Sequence, residues 1–136
     1  METAVIGRLL VEQKDRSGHV EPCIARTEWG KIPAKCKGNL CWFPYGGNEY
    51  VTDNFKRIIG TFDRPIALVD NNSSGVPPHA IKGKQNDGAG IVYAAIAKTQ
   101  WGLIPGKVQD GECWFPYNGQ EHSTPYFSWI VRVHIQ

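Results

Sequence analysis

The charged side chains that could bind a ligand or do chemistry occur in pairs that lie 72 residues apart. Each pair repeats one residue type: Asp15 and Asp87, Lys35 and Lys107, Glu49 and Glu121. Carboxylates accept charge-assisted hydrogen bonds and an ammonium group donates up to three, so such a set can hold a polar ligand. Paired carboxylates could also hydrolyse a glycosidic bond. The duplication favours binding, because duplicated sites are more common in binding proteins than in enzymes.

The rest of the sequence offers none of the usual parts of a catalytic centre. The four histidines, at positions 19, 79, 122 and 134, have no histidine at the equivalent position of the other copy. The sequence contains no CxxC pair, no His–Cys cluster, no nucleophile motif and no Gly-rich phosphate loop. We therefore expect no catalytic residue, no metal site and no cofactor.

The four cysteines divide into a repeated pair and an unrepeated pair. Cys41 and Cys113 occupy equivalent positions inside an aromatic run, whereas Cys23 and Cys36 correspond to Ala95 and Val108. Apolar counterparts indicate packing positions, so the cysteines are predicted to be buried free thiols. A disulfide between Cys23 and Cys36 is the alternative that the sequence leaves open.

These pairs belong to a longer internal repeat. Between residues 13 and 58, 22 of 46 positions carry the same residue as the position 72 further on, with no gap. A repeat of this length indicates one supersecondary unit used twice. A chain of 136 residues fits one compact domain. Residues 1–60 are predicted to form the first half, and residues 61–136 the connection and the second half.

The elements that must position these residues are predicted to be β-strands throughout. The 15 glycines and 9 prolines interrupt helical windows. Residues 4–11, 90–97 and 129–135 are rich in strand-forming residues, the last segment alternates polar and apolar residues, and residues 55–60 are its counterpart. Each repeat has four or five strands, too few to bury a face alone. We predict an all-β fold of two antiparallel, sandwich-like halves about a pseudo-two-fold axis, with residues 60–83 as the connection and one extra strand.

Charge and hydropathy exclude several classes of partner. The net charge of +2 and the scattered basic residues do not suggest nucleic-acid binding. No apolar stretch approaches the roughly 20 residues of a membrane span, so membrane insertion is not expected. The first residues lack the pattern of a secretory leader. Either the protein is made without one, and is then cytoplasmic or released by another route, or a leader has been removed from this sequence, so the sequence leaves the localisation open.

Three motifs, two of them duplicated, resemble a known family. Residues 104–108 (IPGKV) and 117–122 (YNGQEH) are similar to the signature of the DM-nine repeat family, which includes natterin-like proteins and invertebrate mannose-binding lectins. Residues 32–35 (IPAK) and 45–50 (YGGNEY) repeat this signature. Residues 75–83 (GVPPHAIKG) resemble the segment that opens a family repeat. The arginine that the family carries in its "YVxRA" strand is absent from both copies.

The resemblance implies a homodimeric lectin that recognises mannose without a metal. In the lectin members, an early acidic residue and the lysine of the "PGK" turn hold the sugar hydroxyls. The matching pairs are Asp15 with Lys35 and Asp87 with Lys107. Glu49 and Glu121 could supply further acceptors, and Trp29 and Trp101 could pack against the apolar face of the pyranose. The carbohydrate-binding residues are thus expected to be Asp15, Lys35, Glu49, Asp87, Lys107 and Glu121, with both lysines in exposed turns.

Two further expectations depend on this resemblance. Gly106 corresponds to Ala34, which adopts positive φ only with strain, so the second site is expected to be more like the family and the first weaker or tuned to another sugar. The alternative function is a non-enzymatic protein- or lipid-interaction protein on the same scaffold, such as a stress or immune adaptor.

Overall fold

The computed structural model describes residues 4–72 and 74–134, and its regular structure there is entirely β. The first repeat contains β1 (Gly7–Arg8), β2 (Val11–Gln13), β3 (Gly18–Thr27), β4 (Gly30–Lys37), β5 (Leu40–Tyr45), β6 (Asn48–Thr52), β7 (Phe55–Arg57) and β8 (Ile59–Gly60). The second contains β9 (Ile66–Asp70), β10 (Lys82–Gln85), β11 (Ile91–Thr99), β12 (Gly102–Gln109), β13 (Glu112–Tyr117), β14 (Gln120–Thr124) and β15 (Phe127–Arg132). The all-β prediction is confirmed.

The strands form one large antiparallel sheet with a barrel-like arrangement and one short ribbon. The order in the large sheet is β7-β3-β2-β12-β13-β14-β6-β5-β4-β10-β11-β15-β9, with β3–β4 and β11–β12 also paired. The ribbon joins β1 to β8. The predicted pair of sandwich-like halves about a two-fold axis stays a prediction, as does the division at residue 60.

The opening strand of each repeat pairs with a strand of its own repeat and also with a strand of the other. In the first repeat, β2 pairs with its own β3 but also with β12, where Gln13 lies opposite Gly102. In the second repeat, β10 pairs with its own β11 and with β4, where Gln85 lies opposite Gly30. A third connection joins β6 to β14. Each repeat therefore completes its sheet with strands of the other.

Two short hairpin turns of the same kind lie beside this third connection. Gly46 and Gly47 connect β5 to β6, and both have positive φ, 58° and 89°. Asn118 and Gly119 connect β13 to β14 with φ of 53° and 82°. Two-residue hairpin turns with both φ values positive match the twist of the flanking strands, and Asn and Gly adopt them most readily. These turns hold the last residues of β5 and β13 in place.

Several strand predictions are corrected in detail. The counterpart of β15 in the first repeat is interrupted at Ile58, which separates β7 from β8. The segment 4–11 forms only short strands. The alternation of polar and apolar residues in 129–135 is typical of a half-buried strand, and this expectation is wrong for β15, which is buried on both faces from Phe127 to Val131; residue 135 lies outside the described residues. The extra strand predicted between residues 60 and 83 is β9, which pairs with β15.

The core consists of three apolar clusters. One is formed within the first repeat, one within the second, and a third contains residues of both, including Val20 and Ile130. All four cysteines are buried free thiols, as predicted, and three of them lie in the first-repeat cluster. The Sγ atom of Cys23 lies 3.0 Å from that of Cys41. Nowhere in residues 4–72 or 74–134 is there a helix with the length and apolar content needed to cross a membrane.

Candidate functional site

The two predicted lysines lie inside strands, and the expectation of exposed turn lysines is wrong. Lys35 is near the end of β4 and lies opposite Trp42, and Lys107 is in β12 opposite Trp114. Their exposed fractions are 6% and 2%. The preceding Gly106 lies in β12 with φ outside the left-handed region, so the predicted turn is absent there. Both ammonium groups therefore require partners inside the protein.

Lys107 receives three such partners. Its Nζ donates to Gln85 Oε1 at 2.5 Å and to the carbonyl of Pro44 at 2.9 Å, and lies 3.4 Å from Glu121 Oε2. Burial lowers the pKa of Lys107, and the charge of Glu121 opposes that shift. The ammonium is thus held by one glutamine and one carboxylate of its own repeat and by a carbonyl of the first.

Lys35 has the equivalent partners at longer distances. Its Nζ donates to Gln13 Oε1 at 3.0 Å and lies 3.7 Å from Glu49 Oε2. Burial lowers the pKa of Lys35 too, against the charges of Glu49 and Asp15. Because Gln13 and Gln85 are equivalent, the lysine–glutamine–glutamate arrangement occurs twice.

The second oxygen of each glutamate binds the hairpin turn of the other repeat. Glu121 Oε1 accepts from the backbone N–H of Gly47 at 2.9 Å, and Glu49 Oε1 accepts from that of Gly119 at 3.1 Å. The glutamates therefore connect a buried lysine of one repeat to a turn of the other. This role is structural and explains their identity in both copies.

The turns fixed in this way place a tyrosine against the other repeat's aspartate. Tyr45 donates to Asp87 Oδ2 at 2.7 Å, and this bond holds the pKa of Asp87 below its usual range. Tyr117 occupies the equivalent place beside Asp15. The Nζ atom of Lys107 lies 5.1 Å from the ring centroid of Tyr45, a distance typical of cation–π contact.

Both aspartates lie at turns and are exposed. Asp15 Oδ1 accepts from the backbone N–H of Ser17 at 2.7 Å, while its other oxygen accepts from Gln13. Desolvation raises the pKa of Asp15, but the hydrogen bonds from Gln13 and Ser17 more than offset it and leave the pKa lowered. Asp87 accepts equivalently from Ala89. Each aspartate is therefore ionised, oriented and open to solvent.

These residues line two equivalent cavities. The first pocket, of about 250 Å³, is lined by Gln13, Asp15, Ser17, Val20, Lys35, Lys37, Trp42, Glu49, Tyr117 and Asn118. The second pocket, of about 290 Å³, is lined by Tyr45, Gly46, Gln85, Asp87, Lys107, Gln109, Trp114 and Glu121. All six predicted residues thus lie in pockets, three in each. The pockets are composite, because the tyrosine of each comes from the other repeat.

Sequence reasoning missed three residue pairs of these pockets and assigned one pair wrongly. The missed pairs are Gln13 and Gln85, Trp42 and Trp114, and Tyr45 and Tyr117; identity at 72-residue spacing was the available signal. The predicted platforms, Trp29 and Trp101, line neither pocket. They stack on Tyr45 and Tyr117 with centroid distances of 4.8 and 4.6 Å. The half-buried Trp42 and Trp114 lie in the pockets instead.

The arrangement offers hydrogen-bond donors, acceptors and an indole within one small cavity. The described residues contain no group of histidine, cysteine, aspartate and glutamate side chains able to hold a metal ion. Each pocket can therefore accept from and donate to a compact ligand that has several hydroxyl groups and an apolar face.

Comparison with known proteins confirms the resemblance to the DM-nine repeat family, whose model is described as the DM9 repeat. The family model described as the DM9 repeat matches residues 6–124, which is most of the chain. This family consists of non-enzymatic, carbohydrate-binding domains related to lectins. No curated protein matches the chain. With both pockets inside the matched region, the chain belongs to the DM9 repeat family.

Proposed function

We propose that this chain is a lectin that binds mannose-type glycans without a metal, through the two composite pockets. The observation that carries the proposal is the occurrence of two equivalent cavities, each with an ionised aspartate, a buried lysine, a glutamate and a tryptophan. A single polar cavity would be compatible with many ligands. Two with the same side chains, in a family of carbohydrate-binding domains, point to a repeated sugar unit.

The proposed contacts follow from the chemistry of a hexose. The exposed carboxylate of Asp15 or Asp87 accepts from two adjacent hydroxyl groups, and the lysine at the floor of the pocket donates to a ring or hydroxyl oxygen. The indole of Trp42 or Trp114 packs against the apolar face of the pyranose. Glu49 and Glu121 act mainly by holding the lysines and turns, and contribute less to the ligand.

The electrostatics of the pockets argue against glycoside hydrolysis. A retaining or inverting hydrolase needs one protonated carboxyl group whose pKa is raised. In both aspartates the pKa is lowered, and the two glutamates pair with buried lysines. The two aspartates are therefore not prepared to donate a proton to a leaving group, and the oxygens of each glutamate already face a lysine and a turn.

We propose that having two sites in one chain raises its overall affinity for a branched glycan. One small polar pocket binds a monosaccharide weakly, and two pockets in one chain gain effective concentration on a branched glycan. A homodimer, which the family resemblance predicts, would double the number again. The alternative of protein or lipid interaction stays a prediction without a supporting contact among the described residues.

A glycan array with and without EDTA tests the proposal. We expect binding to mannose-terminated glycans that EDTA leaves unchanged, because the described carboxylates are paired with lysines and turns and do not form a calcium cage. A folded Asp15→Ala/Asp87→Ala double variant should lose the signal. Absence of any glycan signal, or its loss in EDTA, contradicts the proposal, and binding of the double variant at full strength removes the aspartates from the site.

A further inference from the structure

The two pockets differ at their rims, and at each differing position the first pocket has the more polar or more charged side chain. Ser17, Lys37 and Asn118 line the first pocket, and the equivalent positions of the second repeat and its partner turn hold Ala89, Gln109 and Gly46. The first pocket therefore has a hydroxyl, an ammonium and an amide where the second has a methyl group, a neutral amide and no side chain. The floors, by contrast, are identical in residue type.

Lys37 is the difference with the largest electrostatic effect. It ends β4, is exposed, and its Nζ donates to the carbonyl of Ser17 across the mouth of the first pocket. One of its three donors is used there, which leaves others for a ligand. Its counterpart, Gln109, is half-buried and accepts from Gln85 at 3.4 Å within the second pocket.

The charge balance of the two pockets differs accordingly. The lining of the first pocket has two carboxylates, of Asp15 and Glu49, balanced by the ammonium groups of Lys35 and Lys37. The lining of the second has the same two carboxylates and only one ammonium, so it is net negative. Arg16, which lies in sequence between the pocket residues Asp15 and Ser17, corresponds to Gly88, so the turn beside the first pocket has a further positive charge.

The two lysines at the pocket floors also differ in how many of their N–H donors are left for a ligand. Lys107 donates to Gln85 and to the carbonyl of Pro44, so two of its three donors are used in hydrogen bonds and one, 3.4 Å from Glu121, remains for a ligand. Lys35 donates one hydrogen bond within the described residues, and its ion pair with Glu49 is longer, at 3.7 Å. The first pocket thus offers donors at its floor and at its rim.

We propose that the first pocket prefers a hexose with an anionic substituent, a carboxylate or a phosphate or sulfate ester, and that Lys37 determines this preference, while the second pocket takes neutral hexoses. The inference rests on the proposed carbohydrate-binding function. The sugar ring occupies the floor common to both pockets, and the substituent projects to the rim beside Lys37, away from the paired glutamate.

Single-site proteins test the preference. Asp87→Ala leaves the first pocket intact, and Asp15→Ala leaves the second. Isothermal titration of each with methyl mannoside, mannose 6-phosphate, mannose 6-sulfate and mannuronic acid should show that only the protein with the first pocket binds the anionic sugars more tightly, by about three- to tenfold. The three anionic probes distinguish the carboxylate from the two esters. The preference should shrink when NaCl is raised from about 20 mM to about 500 mM.

A reciprocal exchange at the rim assigns the effect to Lys37. Lys37→Gln in the first-pocket protein should abolish the preference, so that the anionic sugars bind no more tightly than methyl mannoside, and Gln109→Lys should confer a preference on the second-pocket protein. Thermal melting confirms that all variants are folded. Equal affinities for charged and neutral sugars, or a preference that survives Lys37→Gln, overturn the inference and leave the lectin function standing. If neither protein binds any of the sugars, both the function and the inference are wrong.

Discussion

At the scale of single residues, the buried lysines decide how the pockets are built. Burying an ammonium group costs free energy unless hydrogen bonds and an opposite charge replace its water. Lys107 has a carboxylate, a side-chain amide oxygen and a backbone carbonyl around it. Removing the lysine leaves Glu121 with a buried, uncompensated charge. The same residue therefore supports the fold and forms the pocket floor.

Lys107→Ala should lower the free energy of unfolding by about 2–4 kcal/mol. It breaks the buried ion pair with Glu121 and leaves Gln85 Oε1 and the carbonyl of Pro44 without their donor. It should also abolish sugar binding at the second pocket. The matched control is Lys98→Ala. Lys98 pairs with Asp70 at 2.7 Å, but their side chains are 45% and 71% exposed, so its loss should cost less than about 1 kcal/mol. Urea denaturation of both variants measures the difference; equal stabilities of Lys107→Ala and the wild type would contradict the buried pair.

The same lysines show where sequence reasoning succeeded and failed at the residue scale. Identity in both copies selected Lys35, Lys107 and the paired acids, and all of them line the two pockets; their role in binding stays a prediction. The family resemblance implied a turn at each lysine, and proline and glycine before Lys107 are residues that often mark one. In the structure, Pro105 and Gly106 pair with β11 inside the sheet. The neighbouring strands determine this conformation, and they are not evident from local sequence.

At the scale of elements, two glycines allow the opening strand of each repeat to pair with a strand of the other. Gly30 has φ of 120°, and a Cβ atom there would lie 2.1 Å from the carbonyl oxygen of Lys84 on β10. Gly102 has φ of 102°, and its Cβ would lie 2.5 Å from the carbonyl oxygen of Glu12 on β2. Both contacts involve backbone atoms, which cannot move aside cheaply. Glycine at these positions is therefore required by the crossing of the repeats.

Gly30→Ala should destabilise the protein by about 2 kcal/mol or more. The new side chain would be strained at positive φ, and its Cβ would clash with the carbonyl oxygen of Lys84. Gly88→Ala provides the control, because a Cβ there meets nothing within 4 Å and its φ is not positive. That change should shift the free energy of unfolding by less than about 1 kcal/mol. Thermal melts of the two variants give the comparison. Equal melting temperatures would show that β4 and β10 are not held as closely as the structure indicates.

The β-strands could be predicted from the sequence more readily than the pairing between them. Strand composition and turn residues correctly indicated β11, β15 and an all-β fold, and the repeat made the equivalence of β3 with β11 visible. The pairing of β2 with β12 joins residues 89 positions apart, Gln13 and Gly102. Local patterns carry no information on such partners. For the same reason, the contributions of Tyr45 to the second pocket and of Tyr117 to the first could not be predicted.

At the scale of the whole molecule, each repeat depends on the other to complete its sheet and its pocket. Each contributes a strand to the other's sheet, and each glutamate holds the other's hairpin turn. A separated repeat would expose unpaired strand edges and lose part of the shared core. Each pocket would also lose its tyrosine. Two complete pockets in this chain thus require the covalent or noncovalent association of both halves.

Separate expression of residues 1–60 and 61–136 tests this dependence. We expect that neither fragment binds mannose, because neither contains a complete pocket, and that the shorter fragment is unfolded, since about 60 residues with unpaired edges bury too little surface. An equimolar mixture should recover dispersed amide resonances in NMR spectra and sugar binding in titration, because β2, β4, β10 and β12 can then pair across the cut. The uncut chain at the same concentration is the control. Mannose binding by isolated 61–136 with the affinity of the intact protein would contradict the composite pockets, because Tyr45 and Gly47 would then be dispensable for the second one.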